Sequence, residues 1–179
     1  MEFDAVVVAG GGSTRLGGVD KALVVLDGVT FLDRVLRAVG HATHTVVVGP
    51  VRKTYRDVEW TQEDPPGSGP VAGLAAGLAS GSAPIVVVLS CDLPWVTQQD
   101  ITRLVDSIDT HDGSGLRDSD GRDQWLAAAY KRSSLTAAFT KLGDPHNKSV
   151  RRLVADLDLV WSDPSRSGDD VDTWADLDG

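Results

Sequence analysis

The densest group of residues that could do chemistry follows the first apolar run of the chain. In "VVVAGGGSTRLGGVDKALVVLDG" (residues 6–28), glycine fills five of the nine positions from 10 to 18, and Arg15 and Lys21 add two positive charges. Glycines let backbone N–H groups turn toward one point and let a phosphate approach closely, and two cations could bridge a triphosphate. The pattern predicts a phosphate-binding loop; a flexible turn followed by a solvent-facing lysine is the simpler alternative.

The loop does not match the commoner glycine-rich templates. A dinucleotide-binding fingerprint that begins at Gly10 requires glycine where Arg15 stands. A Walker loop requires Gly-Lys-Ser/Thr, whereas Gly18 is followed by Val19. A serine-hydrolase elbow built on Ser13 also fails at position 15. If the loop binds phosphate, its arrangement of residues differs from all three of these templates.

Asp92 is the second candidate. It follows the apolar run "IVVVL" in the sequence "SCDLP", where Pro94 prevents the strand from continuing normally. Mg²⁺ binds through one or two carboxylates together with phosphate oxygens, so one well-placed aspartate can hold it. The alternative is an aspartate that caps a helix or closes a turn.

Two other chemical interpretations are weaker. Cys91 has no evident base beside it, so a small buried apolar residue is favoured over a nucleophile. His41 and His44 have a metal-like spacing but no cysteine or carboxylate partner at a matching spacing, which favours ordinary surface histidines.

Two further segments could contact a ligand. In "QEDPPGSGPVAGL" (residues 62–74), Asp64 precedes a proline–glycine turn, and the small residues from Gly69 to Gly73 would let a base or sugar pack against the backbone. A plain loop followed by a tightly packed helix fits the same letters equally well. "NKSVRRLV" (residues 147–154) carries Lys148, Arg151 and Arg152, which are either helix-surface charges or a site for a second anionic ligand.

Alternating strand and helix patterns would place these residues. Apolar runs predict strands at 3–9, 44–50, 83–92, 124–132 and 157–161, with short strands near 58 and within 109–123. Helical spacing predicts helices at 31–40, 69–81, 97–108, 133–142 and 147–156, and a final helical turn at 172–177. This order predicts an α/β fold with a mainly parallel sheet between helices, whose ligands bind at the carboxyl ends of the strands.

Composition limits the class of protein. A chain of 179 residues suits one domain, and we expect residues 1–179 to form it. A net charge of −9 argues against binding to nucleic acid or to anionic lipid, so an anionic ligand needs a local cluster of cations. A single cysteine, and the absence of a leader pattern or a run of about 20 apolar residues, lead us to expect a soluble cytoplasmic protein.

Taken together, these motifs resemble nucleotidyltransferases of the GT-A-like Rossmann fold, and among them the molybdenum cofactor guanylyltransferase (MobA) family. The resemblance spans nearly the whole chain: the glycine-rich segment is followed by "EDPPGSGPVAGLAAGL", "LSCDLPWV", "DQWLAAAYKR", "NKSVRRLV" and "DVDTWADL". It implies a three-layer Rossmann-like sandwich of the nucleotide-diphospho-sugar transferase type. It also implies transfer of GMP from GTP to the terminal phosphate of molybdenum-bound molybdopterin, with Mg²⁺ as cofactor and molybdoenzymes or other cofactor-biosynthesis proteins as further partners.

The resemblance also implies roles for individual residues. The nucleotide would be bound by Val8, Ala9, Gly10, Gly11, Gly12, Lys21, Asp64, Gly69 and Asp92. The catalytic residues would be Arg15, Lys21 and Asp92, with Asp92 also the metal ligand.

One departure from the family concerns the choice of base. The family often has a base-reading asparagine after the second strand, whereas "VVVGPVRKTY" has Arg52 and no asparagine. A cytidylyltransferase of the same fold, acting on molybdopterin or another small phosphate, and a non-catalytic nucleotide-binding adaptor are therefore kept as alternatives.

Overall fold

A computed structural model of the protein describes residues 1–10 and 18–177. The strands are β1 (Phe3–Val8), β2 (Val25–Leu26), β3 (Val29–Thr30), β4 (His44–Val48), β5 (Glu59–Thr61), β6 (Ile85–Ser90), β7 (Gly113–Arg117), β8 (Asp123–Lys131) and β9 (Leu159–Pro164). The α-helices are α1 (Phe31–Ala38), α2 (Pro70–Leu78), α3 (Gln98–Ser107), α4 (Arg132–Leu142) and α5 (Val150–Leu153). Short 3₁₀ helices lie at Lys21–Leu23, Arg166–Gly168 and Trp174–Leu177. In these ranges, no helix has the length and apolar character needed to cross a membrane.

Seven strands form one sheet in the order β5-β4-β1-β6-β8-β7-β9, and β2 and β3 form a small antiparallel pair. β1 pairs in parallel with β4 and β6, and β5 and β9 also join in parallel. β8 alone among the seven runs antiparallel to its neighbours. The predicted mainly parallel sheet is confirmed, and the carboxyl ends of β1, β4 and β6 meet at one edge.

Helices cover both faces of this sheet, as expected for strands that read as continuous apolar runs. Ala5 and Val7 of β1 belong to the core that includes residues of α1 and α3, whereas Val6 belongs to the core beneath α2, α4 and α5. The three-layer α/β architecture is therefore confirmed.

One predicted helix differs from the structure. The helix expected over residues 147–156 is only the single turn Val150–Leu153. The short strand predicted within the polar stretch 109–123 is confirmed: it is β7, which is largely buried and contains two glycines. A Cβ at Gly113 would lie 2.6 Å from the carbonyl oxygen of Ala129, so glycine there allows the close approach of β8. The low β propensity of "GSGLR" therefore comes from glycines that close packing of the neighbouring strand requires.

The amino-terminal edge of the sheet, opposite the site described below, is held by a buried ion pair. Arg132, the first residue of α4, donates from Nη2 to Asp4 Oδ2 at 2.6 Å, and Asp4 is only 2% exposed. The same arginine donates to the carbonyls of Ala83 and Leu78 at 2.7 and 3.0 Å. It therefore ties β1, the end of α2, the approach to β6 and the start of α4 together.

Candidate active site

The carboxyl ends of β1, β4 and β6 are joined beyond the strands themselves. The N–H of Ala9 donates to the carbonyl of Val48 at 2.8 Å, and the N–H of Cys91 donates to the carbonyl of Val8 at 3.0 Å. Val8 and Ala9 are buried there, whereas Gly10 is exposed. The structure thus places these three predicted nucleotide contacts at the carboxyl edge. Gly11, Gly12 and Arg15 lie outside the described residues.

The close packing of β1 against β4 at this edge depends on Gly49. Its φ is +142°, and a Cβ there would lie 2.9 Å from the carbonyl oxygen of Ala9 and 3.1 Å from the nitrogen of Gly10. A larger residue at position 49 would push the end of β4 away from the end of β1, which leads into the glycine-rich segment.

Lys21 follows the glycine-rich segment in the sequence and is the first residue of a 3₁₀ turn. Asp20 caps the turn by accepting a hydrogen bond from the N–H of Ala22 at 3.1 Å. The ammonium of Lys21 donates to Asp172 Oδ1 at 2.6 Å and to Asp92 Oδ2 at 3.1 Å. Burial acts to lower the pKa of Lys21, but the hydrogen bonds and charges of Asp172 and Asp92 outweigh it and raise the pKa. Lys21 is therefore a fixed positive charge in this site.

Asp92 follows β6 and is held by its neighbours on three sides. Ser90 Oγ donates to Asp92 Oδ1, Lys21 contacts Asp92 Oδ2, and the backbone carbonyl of Asp92 accepts from the N–H of Val171 at 3.0 Å. The next helix, α3, is capped by Thr97 and Asp100 instead. The carboxylate of Asp92 thus takes part in a cluster of charged side chains and does not cap that helix.

Two further carboxylates complete this cluster. One oxygen from each of Asp92, Asp170 and Asp172 lies within 4.8 Å of the others. Val171, between the last two, is fully buried against Val24 and Phe31, so packing fixes its acidic neighbours. Burial, and then the negative charges of Asp92 and Asp172, raise the pKa of Asp170. Three crowded carboxylates are a donor set suited to a divalent cation such as Mg²⁺.

Asp170 and Asp172 were missed as site residues by the sequence analysis, which used "DVDTWADL" only as part of the resemblance and as a final turn. Two acids flanking a valine in an otherwise polar tail are the signal that could have pointed to them. That signal says nothing of a partner 151 residues away, which is the separation that the contact of Lys21 with Asp172 spans.

Asp64 and Gly69 lie in the loop between β5 and α2, on the same side of the sheet. Asp64 is exposed, and its carbonyl lies 3.3 Å from Nε2 of His146. Gly69 has φ +95° and caps the amino end of α2 without a side-chain hydrogen bond. Asn147 donates from its N–H to the carbonyl of Ser68 at 2.8 Å, which brings the loop before α5 to this point. The nucleotide contacts proposed for Asp64 and Gly69 stay predictions.

The remaining candidates take structural roles. Cys91 is buried, and desolvation followed by the charge of Asp92 raises its pKa to about 12, so its thiol is protonated at neutral pH. His44 pairs with Glu59 at 2.9 Å. Arg52 donates from Nε to Asp20 Oδ2 at 2.6 Å, which links the loop after β4 to the residue before Lys21.

Comparison with known proteins identifies the family of the chain. A family model described as the MobA-like NTP transferase domain matches residues 5–160. The molybdenum cofactor guanylyltransferase of Shewanella sp. (strain ANA-3) is 29% identical over 153 residues, covering 80% of this chain and 77% of its own. A probable molybdenum cofactor guanylyltransferase of Bacillus cereus is 28% identical over 183 residues, covering 98% and 88%.

Solved structures show the same fold at lower identity. The molybdopterin-guanine dinucleotide biosynthesis protein A of Archaeoglobus fulgidus superposes with a TM-score of 0.70 at 21% identity, over 98% of this chain and 95% of its own. The 2-C-methyl-D-erythritol 4-phosphate cytidylyltransferase of Thermus thermophilus has a TM-score of 0.72 at 17% identity, over 99% and 96%. Since the family model covers most of the chain, the chain belongs to the MobA-like NTP transferase family, a family of nucleotidyltransferases.

Proposed function

We propose that this protein transfers GMP from GTP to the terminal phosphate of molybdenum-bound molybdopterin and releases pyrophosphate. The observation that carries the proposal is the pairing of Lys21 with Asp92 and Asp172 at the carboxyl edge of the sheet. One cation and several carboxylates, next to a glycine-rich segment, are the groups that a metal-bound triphosphate requires. The names of the guanylyltransferase relatives support the choice of GTP and molybdopterin.

The reaction needs no strong base in the protein. An oxygen of the acceptor phosphate forms a bond to the α-phosphorus of GTP, and the bond from that phosphorus to the bridging oxygen of the β-phosphate breaks. Pyrophosphate leaves with the electron pair, and nothing is oxidised or reduced. Because the attacking phosphate is already an anion, catalysis depends on position and on charge neutralisation.

Lys21 would bind the β- and γ-phosphates and stabilise the departing pyrophosphate. To do so, its ammonium exchanges a carboxylate partner for phosphate oxygens, which keeps its charge compensated throughout. Asp92, with Asp170 and Asp172 beside it, would hold Mg²⁺ through oxygen ligands. When bound, Mg²⁺ supplies charge neutralisation at the phosphates.

A cytidylyltransferase is the second candidate. Two observations favour it: the similarity to the Thermus thermophilus cytidylyltransferase, and the lack of an asparagine in "VVVGPVRKTY" after β4. Both candidates use the same phosphate site, so they differ only in which base the carboxyl edge accepts.

Turnover separates the candidates. With Mg²⁺ and molybdenum-bound molybdopterin, we expect pyrophosphate release from GTP and little from CTP, and loss of release in Asp92→Asn, whose amide preserves the shape of the carboxylate but not its charge. Preferential release from CTP would favour the cytidylyltransferase. Tight binding of GTP without pyrophosphate release from any nucleotide would point to a non-catalytic adaptor.

A further inference from the structure

The segment between β5 and α2 (residues 62–69), which we call the β5–α2 loop, is fixed at both ends beside the carboxyl edge of the sheet. The N–H of Gly49 donates to the carbonyl of Thr61, the last residue of β5, at 2.8 Å. On the other side of the loop, α2 packs closely on β4, because a Cβ at Gly73 would lie 3.3 Å from Cγ1 of Val48. The loop therefore borders the candidate active site.

The middle of the β5–α2 loop is bonded to itself. Glu63 Oε1 accepts a hydrogen bond from the N–H of Gly67 at 2.9 Å. Ser68 Oγ donates to the carbonyl of Pro65 at 2.6 Å, and Ser68 is only 6% exposed. The loop is thus a compact turn.

The connection from α4 to α5 (residues 143–149) contacts this turn at two places. The N–H of Asn147 donates to the carbonyl of Ser68 at 2.8 Å. Asn147 has φ +54°, a left-handed conformation that asparagine adopts more readily than most residues. One residue earlier, Nε2 of His146 lies 3.3 Å from the carbonyl oxygen of Asp64. Two consecutive residues thus contact the beginning and the end of the turn.

Each ring nitrogen of His146 faces an acceptor. Nδ1 lies 2.5 Å from Oδ1 of Asp144, and Nε2 faces the carbonyl of Asp64. A neutral imidazole has one N–H and can donate to only one of these acceptors, whereas an imidazolium has two and can donate to both. Simultaneous hydrogen bonds to Asp144 and Asp64 therefore require the charged form of His146.

The groups around His146 favour this charged form. The hydrogen bond with Asp144, followed by that with the carbonyl of Asp64, raises the pKa of His146, and the negative charges of both carboxylates act in the same direction. The hydrogen bonds from His146, with a smaller effect of the Lys148 charge, lower the pKa of Asp144. The pair of hydrogen bonds is therefore complete below the raised pKa of His146 and is lost as the pH rises through it.

We propose that His146 is a positioning residue for the nucleotide: by joining Asp144 to the carbonyl of Asp64, it holds the β5–α2 loop in the conformation that binds GTP. The inference rests on the proposed function, because it is GTP binding that gives Asp64 and Gly69 a ligand. It makes GTP affinity depend on pH, since the loop is held while the ring is charged and is released when the ring loses its proton.

Calorimetric titration of Mg²⁺–GTP into the full chain at pH 6 and pH 8.5 tests the proposal. At pH 6, His146→Ala should weaken GTP binding about 2- to 12-fold, the range for loss of one hydrogen bond. The loss should be smaller at pH 8.5, where the native ring is largely neutral. In turnover, KM for GTP should rise while kcat stays near native, because the ring contacts no reacting atom. Ionisation of GTP itself affects every variant equally, so variants are compared at the same pH.

His146→Lys is the conservative variant. Its ammonium keeps its charge at both pH values and has three N–H donors, so its GTP affinity should change less with pH than that of the native protein. His111→Ala is the matched control. His111 pairs with Asp158 at 2.9 Å and has a similarly exposed side chain, but it lies just before β7 at the opposite edge of the sheet. The control should keep native affinity at both pH values.

NMR of the ligand-free protein gives a second measurement. The ring nitrogens of His146 should titrate above the ordinary histidine pKa of about 6.5, and the amide signals of Gly67 and Ser68 should shift with the same midpoint. Asp144→Asn should lower both midpoints together, because it removes the carboxylate that stabilises the imidazolium.

Two outcomes would overturn the inference and leave the proposed function intact. One is equal GTP affinity of His146→Ala and the native protein at pH 6; the other is loop amide signals that do not follow the His146 titration. If the native protein binds CTP in place of GTP, the same comparison with CTP decides. If it binds neither nucleotide, the proposed function fails, and the NMR titration alone then decides whether His146 holds the loop.

Discussion

The ammonium of Lys21 lies between two carboxylates, and this arrangement is what an incoming triphosphate must replace. The contacts with Asp172 and Asp92 are 2.6 and 3.1 Å, and the Lys21 side chain is 18% exposed. Such a partly desolvated charge interacts more strongly with phosphate than an exposed lysine would. We therefore expect Lys21 to contribute to nucleotide affinity and, through a stronger contact with the leaving pyrophosphate, to the rate.

Lys21→Ala should lower kcat/KM by roughly 10²–10³, equivalent to about 2.7–4 kcal/mol by analogy with loss of an oxyanion donor. The matched control is Lys141→Ala, which removes a lysine paired with Asp156 on the surface, where both side chains are 74% exposed. The control should keep native kinetics. Pyrophosphate release that is near normal in folded Lys21→Ala would refute its assignment to the phosphate site.

Asp170 should make the stability of the ligand-free protein depend on pH. Its pKa is raised by burial and by Asp92 and Asp172, so the unfolded chain loses this proton at a lower pH than the folded protein does. The contribution of protonated Asp170 to the free energy of unfolding is fully present below the carboxyl pKa of the unfolded chain, about 3.9. It is lost as the pH rises through the higher pKa that Asp170 has in the folded protein. Asp170→Asn should therefore raise the melting temperature at pH 7 but not at pH 3.5.

Melting curves at both pH values, with and without Mg²⁺, check this. Because Asp170 is exposed as a residue, solvent screening should keep the difference modest. Mg²⁺ should stabilise the native protein more than the variant. Asp106→Asn, which changes an exposed carboxylate on α3, is the control. A lower melting temperature for Asp170→Asn at pH 7 would contradict the repulsion inferred here.

At the scale of elements, the ion pair between Asp4 and Arg132 joins four segments at the edge away from the reaction. Asp4 is 2% exposed and also accepts from the N–H of Ala83 at 2.8 Å. Removing the guanidinium leaves this buried carboxylate without its cation, which is costlier than the net contribution of the pair itself.

Arg132→Met should reduce the free energy of unfolding by about 3–5 kcal/mol, measured by urea denaturation. Arg103→Met is a suitable control, because Arg103 is 65% exposed and lies 3.7 Å from Asp100; it should change stability by less than about 0.5 kcal/mol. Nucleotide affinity of folded Arg132→Met should stay native, since the pair lies at the opposite edge. Equal stabilities of the two variants would show that the buried pair is unimportant.

Elements with a strong local pattern could be predicted from the sequence, and those placed by distant contacts could not. β1 and β6 are continuous apolar runs, and Thr97 with Asp100 forms the capping box that begins α3. A short strand within 109–123 could be predicted, but the bounds of β7 could not, because Gly113 and Gly115 are required by the packing of Ala129 and Trp161, which lie elsewhere in the sequence. The same holds at the site: Lys21 and Asp92 could be singled out, but their shared partner Asp172 depends on how the chain returns to the sheet.

For the whole molecule, the net charge of −9 makes ligand-free protein and anionic nucleotide repel at long range. We therefore expect nucleotide binding to depend on Lys21 and on a divalent metal ion. Affinity for GTP should consequently fall steeply when Mg²⁺ is removed, more than it would for a protein with a basic surface.

Saturating GTP with Mg²⁺, at about 100 times Kd, should stabilise the fold by about 2.7 kcal/mol. For a domain of this size that corresponds to a rise in melting temperature of roughly 5–10 °C. Chelation of Mg²⁺ with EDTA should remove most of this rise in melting temperature. The rise should also be smaller in Lys21→Ala than in the native protein. The same titration with CTP gives the base preference; a larger rise with CTP than with GTP would reverse the assignment of the nucleotide.

The last part of the described chain is bound to the reaction centre through Val171, which is buried and donates its N–H to Asp92. Trimming by a carboxypeptidase should therefore be harmless at first and abruptly inactivating once Asp172 is removed, long before the sheet loses a strand. A Mg²⁺–nucleotide complex bound at that carboxylate cluster should slow the digestion at this point, so the length of the surviving fragment would itself report whether the substrate is bound.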